Sequence, residues 1–491
     1  MAGAPSEHTE QPTPQYRVGP IITVLVLSAM IMIMNETTLS VALPSIMADF
    51  GVGADVVQWL VTGFLLTMAV VIPTTGWLLQ RFTTRALFIT SLTLFVIGSV
   101  LGALAPAFWV LLLARVVQAC GTAMLLPMLM TVTLTIVAPE RRGVMMGLNS
   151  VVISVAPAVG PTLAGFIINA QTWHHLFWVM VPIGIVVLIA GIFVLKNVGV
   201  TRKVPLDVFS VILSIIAFGA LVYGLSTVGQ LIQGGSSWPI VALLIGFVGV
   251  AFFAYRQRYL GRTGRALLDL TPFTVRNFVV SAVVVVMAMA MMLGTVNVLP
   301  IYLQSSLGVT ALATGLIVLP GGLIQGIISP FIGRLYDSVG ARPIAIPGAL
   351  LMLIAQWWLH FIITPETSVT VLICAHVLFN VGMALVMTPL MTISLASLPG
   401  HLYPHGSAAM NTLQQLGGAA GTAVLIAAMT IGTTHAMQGG AAAEAATAHG
   451  TGQAFVAGGI LGIIAVVASF FIGTPRRSPA WLKKPHKYVL G

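Results

Sequence analysis

Apolar residues in this chain run in blocks of about twenty, broken by short polar or charged turns. A helix needs ~20 mostly apolar residues to cross a bilayer. Fourteen such blocks can be placed, near 20–43, 57–79, 86–105, 109–136, 143–167, 176–195, 208–228, 240–256, 278–303, 313–333, 343–362, 369–395, 405–433 and 454–473. Inside lipid each segment must satisfy its own backbone polar groups, so helices are predicted throughout. The first block is a poor signal peptide. A polar arm precedes it, and its apolar run is longer than the ~7–15 residues of a signal-peptide core. It reads as a retained span.

Composition agrees with that pattern. Of 491 residues 58% are apolar and 7% charged, where a soluble protein carries about a quarter charged. The deficit excludes a soluble enzyme, a disordered chain and a nucleic-acid binder, despite a net charge of +10. The two cysteines, Cys120 and Cys374, lie inside apolar blocks and imply no disulfide framework.

Charge placement predicts orientation. With the N-terminus in the cytoplasm, every Lys and Arg falls on the inner side except Arg115, which lies within a span. The outer loops then hold only acids: Asp49, Asp55, Glu366 and Glu444. Both termini are expected to be cytoplasmic. The basic excess is a property of loops that face anionic headgroups, so the lipid bilayer is the partner it implies and nucleic acid is not.

The chain also repeats itself. Gly76–Arg85 reads GWLLQRFTTR and Gly333–Arg342 reads GRLYDSVGAR, so that Gly76, Leu78 and Arg85 match Gly333, Leu335 and Arg342 at an offset of 257. Gly51-Val52 matches Gly308-Val309 at the same offset, and Ala114-Arg115-Val116 matches Ala375-His376-Val377 at 261. Spans 1–6 and 9–14 are therefore two copies of a six-helix unit, with spans 7 and 8 inserted. The predicted organisation is a cytoplasmic arm over 1–17, an N-terminal six-helix bundle over 18–200, two inserted helices and a cytoplasmic linker over 201–277, a C-terminal bundle over 278–473 and a basic cytoplasmic tail over 474–491. Parallel six-helix repeats imply a central cavity and a rocking motion of one half against the other.

Five motifs carry a resemblance to a known family. The loops at 76–85 and 333–342 resemble the G-x-L-x-D-x-x-G-x-R/K loop of the major facilitator superfamily. Ala114-Arg115-Val116 with Gln118 and Gly121 is similar to its fourth-helix motif, and Ala156–Gly165 to the fifth-helix motif of its drug/proton antiporters. Asn35–Pro44 resembles the first-helix signature of the fourteen-span branch, the EmrB/QacA-like multidrug exporters, and Trp173–Phe177 with Pro182-Ile183-Gly184 the start of that branch's sixth helix. Within the branch the chain is most similar to the lincomycin-exporter-like members. The chain departs from the family at two places. Gln80 stands where the family usually has Asp, whereas Asp337 is retained, and the usual first-helix acid is displaced by one residue, with Asn35 at its position and Glu36 after it.

Glu36 and Arg115 are the charges that lie deep inside spans. Each costs roughly 2.5–3.5 kcal/mol to insert, and such residues are functional candidates by default. Counted from the outer ends of spans 1 and 4, both lie ~12 Å deep at 1.5 Å per residue. Burial and a neighbouring guanidinium act in opposite senses on a carboxyl group, so movement of either partner would drive proton uptake or release. Glu36 is then the proton carrier and Arg115 the group that tunes it. The alternative is a static ion pair tying span 1 to span 4. The repeat partners Met292 and His376 place the coupling in the N-terminal half.

Glycine and proline mark the moving elements. Span 5 carries Gly160-Pro161 and span 10 carries Pro320-Gly321-Gly322; small residues permit close helix approach and proline bends. These two spans are expected to form the crossing that seals one side, with Gly76, Gln80, Arg85, Gly333, Asp337 and Arg342 of the repeated loops as gating residues. Asn35, Asn149, Asn297, Gln356, Trp357, Asn380, Asn411, Gln414 and Gln415 are candidates for the cavity wall. The outer loop over 434–453 reads as flexible cover. No histidine spacing suits a metal, no cofactor motif is present, and neither a Walker-A pattern nor a nucleophile–base set points to an enzyme.

The expected protein is an all-α integral membrane transporter of the bacterial cytoplasmic membrane, functional as a monomer. The resemblance implies a proton-driven antiporter that exports amphipathic, often cationic drugs or toxic compounds by alternating access. The alternative is a proton-coupled exporter of a metabolite, siderophore or lipid, with drug efflux incidental.

Overall fold

The structure, a computed structural model, describes residues 18–198, 201–202, 204–232 and 237–473. The predicted arm over 1–17 and tail over 474–491 lie outside the described residues. Among the described residues fourteen helices are long and apolar enough to cross a membrane. In chain order they are α1 (Val18–Phe50), α2 (Trp59–Arg81), α3 (Thr84–Ala103), α4 (Phe108–Ile136), α5 (Arg142–Ala170), α6 (His174–Val194), α7 (Val208–Ile232), α8 (Trp238–Gly261), α9 (Arg276–Ser305), α10 (Ala311–Val339), α11 (Arg342–Ile362), α12 (Val369–Ala396), α13 (Tyr403–Gln438) and α14 (Ala443–Ser469). No strand occurs among the described residues. The chain is an all-helical integral membrane protein.

The largest differences from the sequence reading are at the end of α1 and between α13 and α14. Helix α1 continues through Pro44 to Phe50, because a proline near a helix end bends the helix without ending it when the next residues are strong formers. The expected loop over 434–453 is almost entirely helix: α13 runs to Gln438 and α14 starts at Ala443. Its alanine-rich composition, read as loop, favours helix.

The sequence repeat becomes a repeat of packing. In the first bundle α1 packs on α4, α5 and α6, α4 on α2 and α3, and α3 on α6. In the second, α9 packs on α12, α13 and α14, α12 on α10 and α11, and α11 on α14. Each of these six pairings recurs in the other bundle with each helix advanced by eight. Backbone conformation repeats as well. Gly51 after α1 and Gly308 after α9 take φ of 62° and 65°, left-handed turns that glycine makes without steric cost.

The bundles meet along two seams related by the same repeat. On one, α5 lies against α10, the most extensive helix pairing in the molecule; on the other, α2 faces α13. The inserted hairpin breaks this equivalence. Helix α7 packs on both α2 and α13, so the second seam carries an added helix. The hairpin is pinned at its base by Asp207, whose carboxylate takes Arg256 Nε and Nη2 at 2.9 Å each, and by Gln257, which donates to Ser210 Oγ at 2.7 Å. Gln257 Oε1 also accepts the Leu267 and Leu268 N–H groups of the following linker.

Candidate functional site

Between the bundles lies a cavity of about 410 Å³. Its wall follows helical spacing: Ile33, Glu36 and Thr37 on α1, Asn149, Val152 and Ile153 on α5, Met289, Met292 and Leu293 on α9, and Asn411, Gln414 and Gln415 on α13. Residues three and four apart share a helix face, so each helix offers one stripe. Glu36 is the one charged residue among the described lining, which contains no Lys, Arg or His and no aromatic ring.

Glu36 and Arg115 are placed differently. The Glu36 carboxylate reaches the cavity and, among the described residues, makes no hydrogen bond and no ion pair. Arg115 is 1% exposed and does not line the cavity. Its Nη1 donates to Gln118 Oε1 at 2.8 Å, and Gln118 Nε2 donates to Ser99 Oγ at 2.9 Å, which ties α4 to α3. The guanidinium lies 4.2 Å from the centre of the Phe64 ring of α2, a cation–π contact that partly replaces lost hydration. The two charges act on each other electrostatically without a bonded pair. The static ion pair considered from sequence is not formed.

The repeat partner of this arrangement is informative. Phe64 and Gly321 are 257 apart, and a methyl on Gly321 would sit 2.6 Å from His376 Cδ2. Where the first bundle sets Arg115 on an aromatic ring, the second sets His376 on a bare glycine. Asn380 donates to His376 Nε2 at 3.1 Å.

Of the polar residues predicted for the cavity wall, Asn149, Asn297, Asn411, Gln414 and Gln415 line it. Four do not. Asn35 is 3% exposed and turned into the packing of α1, because one residue's step rotates a side chain ~100° from Glu36. Gln356 is fully buried and donates to Thr295 Oγ1 at 3.0 Å inside the second bundle. Trp357 packs over Gly459 of α14 and stacks on Phe361. Asn380 is held by His376. Sequence reasoning missed Gln58, Thr62 and Thr422, and all of α7, which contributes Val222, Leu225 and Ser226. The small-residue face of α7 (Ser210, Ser214, Ala217), buried in the fold, was its available signal of close packing.

Polar bonds between the bundles gather at the end that carries the basic loops. Asp337 Oδ1 accepts the Gly143 N–H at 2.8 Å and Oδ2 the Val144 N–H at 3.1 Å. Arg142 Nη1 donates to Tyr403 Oη at 3.3 Å, the Thr131 and Ser407 hydroxyls meet at 2.6 Å, and Thr388 donates to Ser150 at 3.0 Å. Backbones nearly touch there: a methyl on Gly143 would lie 2.2 Å from the Gly333 carbonyl oxygen, and one on Gly147 2.4 Å from that of Ser329. At the opposite end the same two helices are looser, with Gly165 3.7 Å from Leu312 and Gly315 3.5 Å from Thr162 by the same measure. The cavity is closed toward the basic loops.

The predicted gating residues divide accordingly. Gly333 and Asp337 form the seal, and Gly76 packs on His405 of α13. Gln80 uses its carbonyl to accept the Arg202 N–H, and the Arg85 N–H donates to Asn197 Oδ1, so both brace the linker. Arg342 opens α11. Gly160 belongs to a different crossing than expected: it faces Thr37 of α1, not α10, while Pro161 lines the cavity.

Comparisons with known proteins agree with this architecture. Residues 25–422 match the family model described as Major Facilitator Superfamily. The lincomycin resistance protein LmrB of Bacillus subtilis (strain 168) is 39% identical over 95% of this chain and 98% of its own. The uncharacterized MFS-type transporter YcnB of the same organism is 39% identical over 93% and 95%. Among solved structures, the proton:xylose symporter XylE is similar in fold, with a TM-score of 0.64 over 93% of this chain and 96% of that one, at 14% identity.

Proposed function

The chain belongs to the Major Facilitator Superfamily, and from that premise we propose that it is a proton-driven antiporter exporting amphipathic, cationic toxic compounds across the bacterial cytoplasmic membrane. The observation that carries this reading is Glu36, a lone carboxyl group facing a closed-end cavity with no bonded partner among the described residues. A carboxylate left unpaired in such a wall can take either a proton or a cationic substrate. One group that binds either ion, but not both, makes exchange obligatory. The relatives named for lincomycin and multidrug resistance support the substrate side of the proposal.

The cycle runs on the seams. With the basic loops cytoplasmic, the described state is open away from the cytoplasm; a proton reaching Glu36 from outside displaces the substrate. Neutralised, Glu36 can pass to the state open on the cytoplasmic side, where it loses the proton and takes the next substrate. Each proton entering brings ~2.3 kcal/mol per 100 mV. Arg115 acts from behind α1 and α2 on the charge of Glu36, as a fixed positive group held by Gln118 and Phe64.

The test is transport in proteoliposomes with an imposed pH gradient. Glu36→Gln should abolish substrate-driven proton movement while the protein still folds and inserts. Coupled export by that variant at the wild-type rate would overturn the assignment.

A further inference from the structure

Three amide side chains of the cavity wall, those of Asn297, Asn411 and Gln414, are held by their nitrogen ends. Asn297 Nδ2 donates to the Leu293 carbonyl at 2.7 Å, Asn411 Nδ2 to the Ser407 carbonyl at 2.9 Å and Gln414 Nε2 to the Met410 carbonyl at 3.4 Å. Each partner is a carbonyl oxygen of the residue's own helix, so the nitrogen must be the atom turned toward it. Asn149 Nδ2 donates to Thr133 Oγ1 at 3.1 Å, and that hydroxyl gives its own hydrogen to the Leu129 carbonyl. The Asn149 oxygen has no partner among the described residues, but it is buried behind the cavity surface. No hydrogen bond reaches the amide oxygens of Asn297, Asn411 or Gln414 among the described residues. Together with the Glu36 carboxylate, these three oxygens give the cavity wall acceptor lone pairs that no described residue uses. It offers no Lys, Arg or His donor and no aromatic face.

We infer that the cavity selects cations by their hydrogen-bond donors: protonated amines that also carry hydroxyl or amide N–H groups, in preference to quaternary ammonium or phosphonium ions. A buried acceptor left unmatched by its ligand costs free energy, and a site built to bond a ligand's O–H or N–H rejects analogues that lack it far more strongly than a site that only fits shape. A cation without donors must rely on the one carboxylate and on apolar contact. It leaves the amide oxygens desolvated. The lack of an aromatic ring removes the cation–π cage by which quaternary ions are commonly held. A single carboxylate also matches one positive charge, so dications leave a charge uncompensated in an apolar space.

This inference deepens the export reading and rests on it for the site's role, but binding alone tests it. The purified full chain is titrated with lincomycin, a single protonatable amine with several hydroxyls, and with tetraphenylphosphonium and tetrabutylammonium, monocations with no donor. The expected result is at least tenfold tighter binding of lincomycin than of either donorless ion. Replacing an acceptor by an apolar group of similar size, Asn297→Val or Asn411→Leu, should weaken lincomycin several-fold and leave both donorless ions within twofold. Asn297 is exposed to the cavity, so its variant keeps the test meaningful if Asn411→Leu fails to fold. Equal or tighter binding of the donorless ions, or identical losses for all three ligands in Asn297→Val, would overturn the inference. If lincomycin is preferred but no ligand drives proton exchange, the export reading falls and the donor selectivity stands.

Discussion

Asp337 of the second bundle caps a helix of the first: its two carboxylate oxygens take the N–H groups of Gly143 and Val144 at the start of α5. Those N–H groups have no partner within their helix, and the helix dipole adds to their attraction for an anion. In the proposed cycle the contact is made while the basic end is closed and broken when that end opens. It is therefore a lock on one conformation. In the other seam the repeat positions are Gln80 and Pro404, a neutral side chain and a residue without an N–H. The lock is made once.

Asp337→Asn should release this lock by about 1.5–3 kcal/mol, the worth of a hydrogen bond to a charged group, and so favour the open basic end at least tenfold. Gln80→Asn should change little. Distances between spin labels at the basic ends of α5 and α10 measure the shift. Equal responses of the two variants would show that Asp337 is not the lock.

Gly143→Ala should act more strongly. Its methyl would sit 2.2 Å from the Gly333 carbonyl, a backbone contact that cannot relax by side-chain rotation. The basic end cannot close as described, and transport should fall below a tenth of wild type with normal insertion. Wild-type export by this variant would mean that the seam need not close so tightly.

Arg115→Lys keeps the charge but loses the planar group that lies on Phe64 and bonds Gln118. It should lower the melting temperature of the purified protein, with a stability loss of about 1–3 kcal/mol, and slow export more than a remote surface substitution does. Thermal unfolding followed alongside transport checks both parts. An unchanged melting temperature would show that charge alone is needed.

The base of the inserted hairpin sets a pH response. Arg256 hydrogen-bonded to Asp207, aided by Ser210, holds the Asp207 carboxyl below the usual carboxylate range. A depressed value in the fold means stability that is present above the unfolded-state range of ~4 and is lost as pH falls through the folded-state value. The pair is partly exposed, so about 0.5–1 kcal/mol is at stake. Asp207→Asn should melt lower than wild type at neutral pH, and the difference should vanish in strong acid. A difference that persists at low pH would locate the effect elsewhere.

The fourteen helices and the repeat were legible because both are properties of whole segments: a run of twenty apolar residues and a matched offset survive any rotation of a single side chain. The cavity wall was only partly legible. Glu36 and Asn35 are neighbours in sequence, yet one meets the cavity and the other the interior of its bundle. Gln356 and Gln414 read alike as amides within apolar blocks, and only tertiary packing sends one to Thr295 and the other to the cavity. Gly160 illustrates the same limit, since glycine announces a close approach without saying to which helix. Helix α7 escaped because an insertion outside the repeat has no partner segment with which to compare it.

That inserted helix changes what the cavity can recognise. Two repeated bundles alone would enclose a space whose opposite walls are near copies, and a ligand turned end for end would find similar surroundings. With Val222, Leu225 and Ser226 of α7 on one side only, and an acid at Glu36 facing a thioether at its repeat position Met292, the space has a head and a tail. A bound molecule has one preferred way round.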